Sequence, residues 1–152
     1  MAENPVSTAS RLPERRPLAT LVLAIIASEL VGSLGNLLSL SGVTTWYPTL
    51  TTPAFNPPGW VFGPVWITLF ALMGAAAWLV WRAGLDQRAV RVALALFGVQ
   101  FAFNVAWSGA FFGLRSPLAG LVVIVALWLA IVATIWAFDR VDRRAALLLV
   151  PY

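Results

Sequence analysis

The side chains able to act on a ligand gather in one short stretch. Gln100, Asn104, Trp107, Ser108 and Phe111 recur at helical steps and share one face. Amides, a hydroxyl and an indole offer hydrogen bonds and stacking surface, but no proton shuttle. The chain has no His and no Cys, which removes thiol chemistry, disulfides, zinc sites and His-based acid–base catalysis. The usual axial ligands of haem iron go with them, leaving Met and Tyr as weak candidates. No metal site and no obligatory cofactor are expected.

These groups lie in an apolar setting. The chain has 152 residues, is 61% hydrophobic and only 11% charged, whereas a soluble domain carries roughly 25% charged residues. A single-domain, all-α membrane protein follows, with the lipid bilayer as its first partner. Residues 1–17 read as a disordered cytoplasmic tail. Apolar helices follow at about 18–40, 59–81, 92–114 and 118–138, each near the ~20 residues that a crossing needs. A fifth begins at 145–152, and its eight residues span only ~12 Å at 1.5 Å each.

Nine of the ten arginines fall in the tail and the second and fourth loops, against Arg115 alone in the third. That alternation places the N-terminus in the cytoplasm of a bacterial-type cell membrane. It also explains the net charge of +4 without nucleic acid. Trp78, Trp81 and Trp136 then fall at the inner interface as an aromatic belt.

The first connector, residues 46–66, holds five prolines, Trp46, Tyr47, Trp60 and Trp66, and no charge. Each proline fixes φ near −65° and biases the preceding residue to extended backbone. The segment is therefore expected to be a rigid aromatic lid on the outer end of the bundle. Beneath it, Trp66, Phe70, Met73 and Ala77 share a face of the second helix. The amides of the third helix read as interhelical glue, worth roughly 0.6 kcal/mol, or as the polar part of an aromatic pocket. The depth shared by Asn104, Trp107, Ser108 and Trp66 favours the pocket.

Two further features stand out. Gly98, Ala102, Ala106 and Ala110 repeat every fourth position on roughly the opposite side of the third helix. Such a smooth face lets backbones approach closely, against a neighbour in the same chain or as a homodimer seam. Glu29 is the only ionisable residue at mid-membrane. A charge there costs roughly 2.5–3.5 kcal/mol, so it is expected to be neutral and to approach Gln100. The alternative is a carboxyl bonded to Ser33 one turn away.

Read together, the motifs resemble the TspO/MBR family, the tryptophan-rich sensory proteins related to the mitochondrial translocator protein. They are Trp46-Tyr47, Pro53 with Asn56-Pro57-Pro58, Trp60-Val61-Phe62 with Trp66, residues 100–104 (QFAFN), Trp107-Ser108, Phe111-Phe112-Gly113, Leu127-Trp128 and Leu149-Val150-Pro151-Tyr152. The resemblance implies a five-helix bundle, commonly dimeric, that binds porphyrins, sterols or hydrophobic drugs under the first loop. By position, Tyr47, Pro57, Trp66, Phe70, Asn104, Trp107 and Ser108 would line that pocket, with Trp46 at its mouth. Three departures accompany it. Thr52 stands where the family usually has a lysine, Phe55 where a tryptophan is frequent, and the fifth helix is cut short after Tyr152.

Three functions are consistent with this pattern. The first is a tetrapyrrole-binding sensor or carrier that holds porphyrin by shape, stacking and hydrogen bonds. The second, implied by the resemblance, is light-dependent porphyrin breakdown with Trp66 and Trp107 as electron or oxygen partners. The third is a small proton-coupled multidrug-type transporter using Glu29.

Overall fold

A computed structural model describes residues 17–152. The expected tail lies outside the described residues except for Pro17, which opens the first helix. The five helices are α1 (Pro17–Ser41), α2 (Gly59–Trp81), α3 (Arg88–Ser108), α4 (Pro117–Asp139) and α5 (Arg143–Leu149). All four long helices are long and apolar enough to cross a membrane.

Helix ends follow local chemistry. Pro117 occupies the first turn of α4, and the Ser116 hydroxyl accepts from Ala119 N at 3.1 Å. Asp142 caps α5, accepting from Arg144 N at 2.9 Å. Between α2 and α3 the chain reverses at Gly84, whose φ of 110° is open to glycine at little cost. The Arg91 guanidinium then braces that turn through the carbonyls of Leu85 and Asp86, both at 2.8 Å.

Two helices run further than their apolar patterns suggest. α1 continues as a wide π turn over Gly42–Trp46 and a tight 3-10 turn over Tyr47–Thr49. α3 continues as a π turn over Gly109–Gly113. The connector expected from residue 46 therefore starts only at Leu50. Along this extension Thr44, Thr45 and Thr49 return their hydroxyls to carbonyls one turn back, a pattern that goes with bent helices, and Pro48 is tolerated because it falls at the first turn of a new helical segment.

Neighbour contacts run α1–α2–α5–α4–α3 and back to α1, which closes a ring. Small residues make the tightest joints. Ser28, Gly32, Gly35 and Ser39 are the buried residues of α1, a stripe that sequence reasoning overlooked while singling out the one on α3. The Phe70 ring fills the space beside Gly32, and Ser108 sits against Gly35. The Ser28 hydroxyl donates to the Phe70 carbonyl at 2.7 Å.

The α3 stripe divides. Gly98, Ala102 and Ala106 face outward, whereas Ala110 is buried because the π turn carries it inward. The main core lies toward the arginine-bearing end, where Met73, Val80, Val90, Phe138, Ala145 and Leu149 interlock.

Candidate ligand-binding site

The polar face of α3 points into the ring. Gln100 is 1% exposed and Asn104 8%. Asn104 Nδ2 donates to the Tyr152 hydroxyl at 2.7 Å, which joins α3 to the chain following α5. Gln100 Nε2 reaches Met73 Sδ at 3.9 Å, and its Oε1 meets no donor among the described residues.

Aromatic side chains form two walls around this face. On one, Trp66 lies 5.7 Å from Phe70, which stacks on Phe101 at 5.9 Å and 13°. The row continues through Phe97 to Phe138. On the other, Trp107 stacks on Phe111 at 5.3 Å and 8°. Trp46 meets Phe111 edge-on at 5.3 Å, and Tyr47 meets Phe112 edge-on at 5.8 Å. Such pairs are worth about 0.5–1.5 kcal/mol each beyond their burial.

This geometry corrects three expectations. Trp46 and Tyr47 do not hang in a lid above Trp66. They ride the helical extension of α1 and clasp the end of α3, because a π turn at each helix end brings Gly42 against the Phe112 backbone. The remaining connector, residues 50–58, is largely exposed, Pro57 with it, and Phe55 is 86% exposed. Its side-chain tie to the bundle is Asn56 Nδ2 donating to the Tyr47 hydroxyl at 3.3 Å.

Glu29 does not pair with Gln100. Met73 of α2 holds the Gln100 amide instead, and α1 turns Ser28 and Gly32 inward, which leaves Glu29 half-exposed beside them. Nor does the carboxyl bond to Ser33, whose hydroxyl donates to the Glu29 main-chain carbonyl at 2.9 Å. Of the pocket residues, Phe70, Asn104, Trp107 and Ser108 turn inward or partly inward, while Trp66 is 37% exposed.

One residue near the site was missed. The loop residues 50–58 carry no cation, but Arg115, at a φ of 52°, lies beside the same end. Its Nη2 donates to Thr45 Oγ1 at 3.4 Å, one residue from Trp46. Positive φ is unusual for an L-residue with a side chain. The signal in the sequence is the isolation of Arg115, the one arginine of the third loop.

Four spanning helices, small-residue joints and a buried amide between two aromatic walls define a polytopic helical membrane protein with an aromatic-lined interior. Residues 23–152 match the TspO/MBR family. Tryptophan-rich protein TspO of Chlorobaculum tepidum is 45% identical over 137 residues, covering 90% of this chain and 87% of that protein. The protein of the same name in Archaeoglobus fulgidus is 40% identical over 134 residues, covering 87% and 84%. Human Translocator protein is 43% identical over 109 residues, covering 70% and 64%. The chain belongs to the TspO/MBR family.

Proposed function

We propose that this protein binds a porphyrin-type tetrapyrrole between its two aromatic walls and acts as a membrane sensor or carrier. The observation that carries the reading is Asn104, an amide held 8% exposed in an apolar interior between the Phe70 and Trp107 stacks. A buried amide costs free energy unless its remaining hydrogen-bonding capacity is used. Tyr152 takes one donor of Asn104. The other donor and the carbonyl are left for a flat ligand that stacks on both sides. Arg115 supplies what Thr52 does not, a cation for the ligand's carboxylates at the rim.

The arginine distribution supports an N-terminus in the cytoplasm, with the aromatic walls opening outward. The outward-facing Gly98, Ala102 and Ala106 support a homodimer through α3.

Absorbance titration with free-base protoporphyrin tests the reading. Asn104→Ala and Trp107→Ala are each expected to weaken binding about tenfold, the loss of roughly 1.4 kcal/mol. Arg115→Gln is expected to abolish the preference for the free acid over its dimethyl ester. Undiminished affinity in both Asn104→Ala and Trp107→Ala overturns the site.

A further inference from the structure

The outer surface of α1 is not uniformly apolar. Glu29, Ser33 and Asn36 recur at i, i+4 and i+7, which makes one stripe along the middle of the helix. Ser33 and Asn36 are exposed and Glu29 is half-exposed. The next residues on the same stripe, Ile26 and Leu40, are 48% and 60% exposed. The polar segment thus sits between two turns of hydrocarbon-facing side chains.

The stripe takes no part in holding the bundle together. α1 meets α2 through Ser28 and Gly32, against Phe70, and through Ile25, against Gly74. It meets α3 and its π turn through Gly35, Leu38 and Gly42. At about 100° per residue, Glu29, Ser33 and Asn36 fall outside both rows of contacts. The Ser33 hydroxyl returns to the Glu29 main-chain carbonyl at 2.9 Å. Among the described residues, the Glu29 carboxyl and the Asn36 amide have no hydrogen-bond partner.

Acyl chains offer such groups nothing, and polar side chains inside a span ordinarily face protein. The bundle turns these outward, so their neighbour comes from outside the chain. It has to present a donor and an acceptor at the depth of each group. Copies of one chain enter the bilayer in one orientation. A twofold axis along the membrane normal then sets Glu29 against Glu29 and Asn36 against Asn36, the same patch on both sides. An amide carries both a donor and an acceptor, as does a protonated carboxyl, so each side chain is its own complement.

We propose that α1 pairs with α1 of a second copy of this chain, parallel and in register along Glu29, Ser33 and Asn36. The seam shares no residue with the smooth face of α3 or with the aromatic walls, and it stands whether or not either of those is used.

Because the chain has no Cys, single cysteines report the seam directly. Leu40→Cys lies on the stripe one turn beyond Asn36 and keeps all three polar groups. Leu34→Cys lies on a different face of α1, and Ala102→Cys lies on α3. Each variant is reconstituted in palmitoyl-oleoyl phosphatidylcholine liposomes over a range of protein-to-lipid ratios and oxidised with copper phenanthroline. Leu40→Cys is expected to give a disulfide-linked pair, and Leu34→Cys none. Adding Asn36→Leu to Leu40→Cys should raise the ratio needed for half-crosslinking about eightfold, since two hydrogen bonds between facing amides are lost at roughly 0.6 kcal/mol each. Glu29→Gln, which keeps a donor and an acceptor, should leave that ratio unchanged.

Leu34→Cys crosslinking as readily as Leu40→Cys overturns the proposal, because chance collision would then join the copies. So does crosslinking at Ala102→Cys alone, or a half-crosslinking ratio that Asn36→Leu does not move. Leu34, Asn36 and Leu40 are all exposed, so these changes leave the packing of the bundle intact.

Discussion

The two ends of the bundle are built on different rules. At the arginine-bearing end, α5 wedges between α2 and α4, and Phe138, Val80, Val90 and Ala145 are fully buried. Rings and methyl groups there fill space against neighbours on every side. At the loop end, residues 62–68 of α2 are exposed, and Trp46, Tyr47, Trp107, Phe111 and Phe112 pack on one another, while Phe70 reaches from the walls into the core below. Close packing is where a helical membrane protein gains its contact energy. The loop end is held by stacked rings and a few hydrogen bonds. Close packing is concentrated at one end, and the binding site proposed above lies at the other.

That contrast can be broken by mutation. The largest expected effect is at the packed end. Phe138→Ala removes a ring with no exposed surface and should cost about 3–5 kcal/mol of stability, read as a fall in thermal midpoint in mild detergent. Trp107→Ala should leave that midpoint within about 1.5 kcal/mol, because its losses are stacking contacts, while weakening porphyrin binding. Equal destabilisation by the two would erase the distinction.

A middle-sized effect sharpens it. Gln100 Oε1 is buried without a donor, so Gln100→Leu should raise the thermal midpoint by about 1 kcal/mol equivalent. A fall would mean that the carbonyl is satisfied by something bound, and a porphyrin titration of the variant would then locate it.

The smallest effect is at the far tip of the packed end. Hydrogen bonds from Arg144 hold the Asp142 carboxyl below its usual range. A depressed folded pKa contributes stability above the unfolded value, about 3.9. That contribution is lost as pH falls through the folded value. Hydrogen-exchange protection of the first turn of α5 should therefore drop in acid, and Asp142→Asn, still a good cap, should remove the pH dependence.

Much of this was legible in the residues. Spanning lengths and the common face of Gln100, Asn104, Trp107 and Ser108 follow from hydropathy and the helical repeat. The site was less legible where long-range packing decides. Residues 46–50 read as part of the proline-rich connector because proline signals are local, yet Trp46 and Tyr47 remain helical while packing on Phe111 and Phe112. Glu29 and Gln100 share a depth, but depth does not fix rotation about a helix axis. The burial of Ser28 and Gly32 set that rotation for α1, and Met73 took the amide.

By itself the sequence determined what the protein is made of: apolar spans that water rejects, arginines that sort its ends, a chemistry without imidazole or thiol. Tertiary structure alone decided which side chains meet, such as Asn104 with Tyr152, 48 positions apart, or Arg115 with Thr45, 70 apart. Composition and periodicity are properties of neighbours along the chain, whereas such meetings depend on how whole helices pack, and glycines as distant as Gly32 and Gly74 leave room for that packing against Phe70 and the Ala24–Ile25 backbone.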